Sequence, residues 1–451
     1  MKKALFAIVA ASSLLFAESY QVNTLSAKQL GMAHTGAGIK LGSESMHFNP
    51  GGLGFVNKKL DISAGVTFIM PEVEFRGEKG LATTTQMGTP LYVYAASSIT
   101  DWLSAGLSFT SPYGNSADYG KNWEGAGLLQ DISLQVFALQ PTVAFKFGDI
   151  SVGAGPAIYF GSFEQSKALI APGDLNKHPQ LGGTPYATKY AETSAVSATF
   201  SGDADVAVAV NVGAMYDVIP DKLTLGVAYR SEAQAKVAKG ETKVNYADEA
   251  DAAIFAAGLP KFEDGTFSAE LPLPANLNAG VSFRPIDKLL LAFDFQMIFW
   301  GTYKELALDF TDDVTMPFVT PGGIIDVPLP KPISKKNYKD AFAYRFGAQY
   351  TVIDQLDVRL GMYFDETPVK SEYLTPESPS TNKLGSTVGL SFRPIPDLSI
   401  DAAFLYTNGG GTFGRDAKSG EKVDSNGSKD GLNGRYDVQA WVPSIGLSYN
   451  F

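Results

Sequence analysis

The chain has 451 residues and a net charge of −11 at pH 7, with 36 Lys+Arg against 47 Asp+Glu. Nothing basic in that balance draws it to nucleic acid, and the absence of Cys excludes disulfides, thiolate metal sites and a cysteine nucleophile. Apolar content is an ordinary 45%. A transmembrane barrel has that composition, because each strand gives only half its residues to lipid.

The N-terminus reads as a secretory signal over residues 1–17. Lys2 and Lys3 form its charged start, and Ala4 to Ala17 an apolar run too short to span a bilayer. Cleavage is expected after Ala17.

Residues 18–57 do not alternate. They hold Gly31, Gly36, Gly38, Gly42 and the run Phe48-Asn49-Pro50-Gly51-Gly52-Leu53. About 40 residues are too few for an independent domain. The apolar residues Leu25, Leu30, Met32, Ile39, Leu41 and Met46 are too many for a disordered tail. A plug folded inside a barrel is expected.

From 58 to 451 the dominant pattern has period two, which places one oily and one polar face on each strand. In 356–365, Leu, Val, Leu, Met and Phe alternate with Asp357, Arg359, Gly361, Tyr363 and Asp365. Strands are expected near 60–76, 91–99, 102–110, 132–147, 150–164, 196–217, 222–237, 268–284, 288–310, 341–353, 356–365, 384–393, 397–407 and 436–451. That makes fourteen.

The connections between them alternate. Turns such as Thr100-Asp101, Gly148-Asp149 and Asp354-Gln355 are very short. Seven others are long: 77–90, 111–131, 165–195, 238–267, 311–340, 366–383 and 408–435. Short periplasmic turns and long extracellular loops produce this order. The expected fold is all-β: a 14-stranded antiparallel transmembrane β-barrel with an N-terminal plug. Both termini are expected in the periplasm of a Gram-negative cell. The last strand ends on Phe451, with Ile445, Leu447 and Tyr449 on the same face. That ending resembles the terminal signature of outer-membrane barrels.

The segment 21–53, QVNTLSAKQLGMAHTGAGIKLGSESMHFNPGGL, resembles the N-terminal hatch of the FadL-type long-chain fatty-acid transporters. That family also includes aromatic-hydrocarbon uptake channels. Asn23, Ser26, Ala27, Leu30, Gly31, Gly36, Asn49 and Pro50 match its pattern, and Gly51 stands where the family usually has Ala. Further matches are Thr110-Ser-Pro-Tyr-Gly114 with Trp123 and Gly125, Tyr229-Arg-Ser-Glu232, Tyr338-Lys-Asp-Ala341 and Phe364-Asp-Glu-Thr-Pro368.

The resemblance implies fourteen strands and passive transport of hydrophobic molecules. The resemblance further implies that the ligand is captured among outer loops and bound inside the barrel, and that a hatch movement then opens a path by which it leaves sideways where the third strand kinks inward. The expected partners are fatty acids or hydrocarbons, together with outer-membrane lipid and lipopolysaccharide. A monomer without cofactor or metal is expected.

Each CH₂ left in water costs roughly 0.8 kcal/mol, so the route needs apolar walls. The stretch 248–259 reads as a short helix whose Ile254, Phe255 and Leu259 share a face. That face is a candidate capture groove, with Leu169 and Ile170 beside it; the alternative is packing onto neighbouring loops. A carboxylate head needs a cation where water is scarce. Lys339 is the first candidate, because Tyr338-Lys-Asp-Ala resembles a family segment with a ligand-binding lysine. Arg345 follows, since alternation turns it inward, and then Arg230 and Arg359. The alternative is that these cations pair with Asp203, Asp205, Asp294, Asp357, Asp365 or Asp401 inside the barrel.

The family's second basic position falls near Phe160 to Phe163, where no Arg stands. Lys167 is the nearest cation, which leaves room for a neutral ligand. Pro112, Tyr113 and Gly114, expected just after the third strand, are the candidates for the lateral gap. A plain Pro-Gly turn is the alternative there. The other function classes are an aqueous porin, opposed by the apolar plug, and an outer-membrane hydrolase. The three histidines, His34, His47 and His178, show no metal spacing and no serine–acid setting.

Overall fold

The computed structural model describes residues 19–451, apart from 78–79, 179–180, 250, 252–261, 311–314, 321–322, 329–332, 371–372, 410–421 and 424–431. Among the described residues, fourteen wall strands close into one antiparallel barrel. We label them β1 (Asp61–Thr67, continued by Met70–Gly77), β2 (Leu91–Thr100), β3 (Leu103–Asp118), β4 (Asp131–Phe147), β5 (Ile150–Ile170), β6 (Val196–Ile219) and β7 (Leu223–Arg230, continued by Ala233–Tyr246). Then come β8 (Gly265–Leu273, continued by Asn276–Ile286), β9 (Leu289–Ile298), β10 (Ala341–Ile353), β11 (Leu356–Asp365), β12 (Lys383–Ile395), β13 (Leu398–Asn408) and β14 (Leu432–Asn450).

Each strand pairs with its neighbour in sequence. The ring closes where Asp61 of β1 meets Asn450 of β14. Both chain ends of the wall therefore lie at the end with the short turns. Closure leaves no edge strand, so wall backbone groups find their partners within the sheet except at its bulges and proline positions.

The wall shows the expected alternation. Val208, Val210 and Val212 of β6, Leu360 and Met362 of β11, and Val388, Leu390 and Phe392 of β12 point outward and are exposed. Between them stand buried Asn211, Arg359, Thr387 and Ser391 on the inner face. An exposed apolar band of this extent is what lipid covers.

The strand expected over 288–310 ends at Ile298, and two further differences bear on the site. First, β6 carries a bulge. Tyr159 of β5 pairs with Ala207, but Gly161 pairs with Ala204, so β6 spends an extra residue. Alternation flips there, and Asp203 and Asp205 turn outward and are exposed instead of facing the interior. Second, Pro112, Tyr113 and Gly114 lie within β3 rather than after it. A bulge between Thr110 and Tyr113 absorbs the proline.

Residues 19–57 fold inside the barrel. Two short helices, α1 (Ala27–Leu30) and α2 (Ser45–Phe48), are joined by turns. Ser26 caps α1 by accepting from the Gln29 amide at 3.2 Å. Parts of the wall opposite this plug are glycine. Gly153 faces Gly213 across β5–β6, Gly226 faces Gly280 across β7–β8, and Gly347 faces Gly361 across β10–β11. A Cβ on Gly153 would lie 2.2 Å from the Pro50 carbonyl oxygen, and one on Gly226 1.8 Å from that of Ala37. The plug backbone takes the space that side chains occupy elsewhere. Gly226→Val is expected to unseat the plug. Loss of amide protection in 19–57 by hydrogen exchange, with raised basal conductance, checks this; unchanged protection refutes it.

Candidate functional site: two chambers divided by a strap

The plug begins with a strap, residues 20–23. Its backbone pairs with the inner side of the β3 bulge. The Val22 amide donates to the Pro112 carbonyl at 2.8 Å, and the Gly114 amide donates to the Tyr20 carbonyl at 2.9 Å. Gln21 forms a bridge to Tyr113. The three residues singled out for a lateral gap are therefore where plug and wall share a ladder.

Further along, Asn49 fixes the corner of the plug. Its side-chain oxygen accepts from the Gly51 amide at 2.9 Å. Its side-chain nitrogen donates to the Ala37 carbonyl at 2.7 Å and to Ala214 of β6 at 3.1 Å. Pro50 opens the following turn, where its missing N–H costs nothing. Glu44 ties the other side, accepting from Ser26 at 2.6 Å and Ser63 at 2.5 Å.

The strap separates two chambers. The first lies against the long-loop half of β4 to β8 and holds about 710 Å³ of empty space, open in part to solvent. Its wall is apolar: Ile132, Leu134, Val136, Phe163, Val237 and Leu271. Tyr20 of the strap closes one side, packed edge-on against Trp300 at 4.8 Å. Glu377 and Ser378 close another. Chain tracing by alternation missed these residues, since it assigned the oily face to lipid. The available signal was in β4, where Ile132, Leu134 and Val136 make one face apolar and Phe137 and Leu139 then make the other face apolar as well.

The second chamber is polar, and its roughly 410 Å³ of empty space is in part continuous with solvent. The plug supplies Gln21, Asn23, His34 and His47; the wall supplies Arg230, Asn276, Asn278, Asp294, Gln296 and Arg345.

The cations named from sequence divide between these places. Arg230 and Arg345 line the polar chamber. Lys167 stands on β5, two residues past the chamber-lining Gln165, so both share a face. Its ammonium sits 5.4 Å from the centre of the Phe200 ring. Among the described residues no carboxylate lies within 4.0 Å of it. Lys339 is exposed and lies outside both chambers. Its neighbour Lys336 is almost fully buried and pairs with Glu377. Burial alone would raise the Glu377 carboxyl, but the Lys336 ammonium beside it holds it below its ordinary value. Arg359 bonds Gln349 at 2.8 Å and Ser391 at 2.5 Å and lies 3.9 Å from Asp357.

Ile170 is buried among the loop residues Leu175, Leu181 and Tyr190 and Val196 at the start of β6, with Leu169 packed against them. Ile254, Phe255 and Leu259 lie outside the described residues. His34 and His47 are both packed in the plug.

Residues 8–451 match the family model described as outer membrane protein transport protein (OMPP1/FadL/TodX). The chain belongs to this family. Its members are outer-membrane β-barrel channels of Gram-negative bacteria that transport hydrophobic compounds, and they are not enzymes. A 47 kDa outer membrane protein of Pasteurella multocida is 24% identical over 417 residues, with 89% of this chain and 90% of that protein covered. A long-chain fatty acid transport protein of Escherichia coli is 22% identical over 434 residues, covering 89% and 90%.

Among solved structures, a Pseudomonas aeruginosa FadL homologue superposes with a TM-score of 0.74 at 21% identity, covering 96% of this chain and all of that one. The Pseudomonas putida toluene transporter TodX gives 0.63 at 17%, covering 96% and 99%. At those identities the structures establish the shared fold.

Proposed function

We propose that this chain is a passive channel for hydrophobic molecules, with long-chain fatty acids as its first substrate class. The observation that carries this reading is the apolar chamber inside a closed, plugged barrel. Twelve methylenes moved from water to such walls contribute on the order of 10 kcal/mol. Lys167 borders the chamber through Phe200, which packs with Val237 and Ala204. It is a half-buried cation that a carboxylate head would satisfy. Relatives named long-chain fatty acid transport proteins agree with this assignment.

A second reading, neutral aromatic hydrocarbons, draws on the aromatic side chains Tyr20, Phe163 and Tyr303 in the same chamber and on the toluene transporters that share the fold. In this reading the long loops face the medium and both wall termini face the periplasm, after removal of residues 1–17.

Release into the membrane is supported by the wall beside the strap. The β4–β5 ladder holds Leu139↔Ile158 and Val143↔Ala154 but none of the three pairs between them. Pro141 and Pro156 stand opposite each other in that interval, and neither has an N–H to give. Together with the β3 bulge, this weakens one sector of the wall that the strap and α2 cover from inside.

The test is entry of dodecanoate into vesicles holding the intact protein. Faster entry than in empty vesicles, without a large steady ion conductance, is the expected result. Equal entry sinks the transporter reading, and a large conductance would make it a porin. Lys167→Gln is expected to weaken dodecanoate binding roughly 10- to 100-fold, the range for a hydrogen bond to a charged group. Dodecanol binding should lose less. Equal losses, read by tryptophan quenching titration, would remove Lys167 as the head-group partner.

A further inference from the structure

The polar chamber below the strap contains an imbalance. Arg345 stands directly across β9–β10 from Asp294 and lies 3.9 Å from Asp365, so its charge is answered. Asp294 in turn accepts from the plug amides of Gly36 at 2.6 Å and Ala37 at 2.8 Å. Arg230 is different. Its residue is only 6% exposed, and no carboxylate lies within 4.0 Å of it among the described residues. One terminal nitrogen holds the plug, donating to the His47 carbonyl at 3.1 Å and to its ring Nδ1 at 3.3 Å. Its Nε has no partner. A guanidinium does not shed its proton inside a protein, so this buried charge stays.

Other buried atoms in the chamber are also unmatched: Gln21 Oε1, His34 Nδ1, Asp294 Oδ1 and Gln296 Oε1. Five polar atoms without a protein partner lie on the residues of one chamber, where buried polar groups are normally paired. The unmatched acceptors suit water, which needs two to four polar partners and finds them here. The unmatched cation suits an anion, and the planar fork of a guanidinium suits two oxygens held in one plane.

We propose that the polar chamber is a second ligand station, taking a hydrated carboxylate on Arg230, and that the carboxylate replaces His47 on that guanidinium. The inference rests on the transport reading above and adds a step to it. The tail chamber and the head station lie on opposite sides of the strap. A head group that reaches Arg230 removes two hydrogen bonds by which the wall holds α2. Arrival of the anion and release of the plug are then one exchange at one side chain. A neutral hydrocarbon makes no such exchange, so the station separates the two substrate classes that the apolar chamber alone does not.

The experiment compares dodecanoate with dodecanol, which share a chain and differ in the head, in vesicles holding the full-length protein or Arg230→Gln. The proposal expects the dodecanoate-to-dodecanol entry ratio to fall about tenfold in the variant, with Arg230→Lys falling between. His47→Phe, which removes the competing ring and leaves the guanidinium, is expected to raise that ratio. If Arg230 only pins the plug, both compounds change by the same factor in Arg230→Gln and the ratio stays put; that result overturns the station. Should the unaltered protein carry neither compound, the transport reading fails instead. Loss of plug protection by hydrogen exchange when dodecanoate is added, absent with dodecanol, is the second expected readout.

Discussion

Deletion of residues 19–57 converts the sealed barrel into an open pore. Much of the wall opposite the plug is glycine, so few side chains there can fill the vacated space. Barrels slightly wider than this one already enclose water channels. Single-channel conductance is therefore expected to rise by roughly tenfold or more once the interior is vacant. Planar-bilayer recordings of the intact and truncated proteins decide it. An unchanged conductance would mean that residues 19–57 do not seal the barrel. Fatty-acid selectivity should vanish with the plug, because both Tyr20 and His47 leave with it.

The second large effect concerns the cover of the apolar chamber. Lys336 and Glu377 form a buried pair between two long-loop segments, and Lys336 also reaches Thr375 at 3.3 Å. The same segment is held to β3 by Asn115, which donates to the Glu377 carbonyl at 2.6 Å. Lys336→Met leaves a buried carboxylate without its counter-charge, a change that typically costs 3–5 kcal/mol. The segment around 373–380 is expected to undock, becoming open to protease while the barrel stays folded. Lys336→Met with Glu377→Gln should recover most of the loss.

The pair also sets a pH dependence. Glu377 is held below its ordinary value, so its contribution is complete above the usual Glu range near 4.3. It is lost as the pH falls through the lower folded value. Docking should thus be constant at neutral pH and weaken only in acid. Protection that already fades on going from pH 8 to pH 6 would refute the assignment.

Much of the architecture was legible because a membrane wall repeats one instruction. Each strand must alternate, and each turn at one end must be short, so strand number follows from pattern alone. The plug was legible by contrast, as the apolar stretch that does not alternate. The bulge in β6 was not legible. One extra residue between Ala204 and Ala207 has no sequence mark, yet it moves Asp203 and Asp205 from inside to outside. Pro112 misled for a related reason: proline reads as the end of a strand, but a bulge lets the strand run on to Asp118.

The site was less legible than the fold. The polar face of a strand names inward cations such as Arg230 and Arg345, and both line one chamber. It does not say which of them has an acid opposite, since that depends on register across separate strands. Arg345 meets Asp294 only because β9 and β10 align as they do. The apolar chamber was hidden because its lining comes from six strands, each giving only one or a few residues. Only the folded wall places them together.

The glycine waist has a consequence for motion. Wall and plug there share a single layer of atoms, so the plug serves as a mandrel around which the strands are bent. Where its inner face is glycine, the wall has little of its own to resist ovalisation. While the plug is seated, the waist is stiff; when the plug shifts, the same ring becomes the most compliant part of the barrel. Gating and wall softening are then not successive events with separate triggers, and the weak β4–β5 sector would yield only during the interval when the plug is displaced.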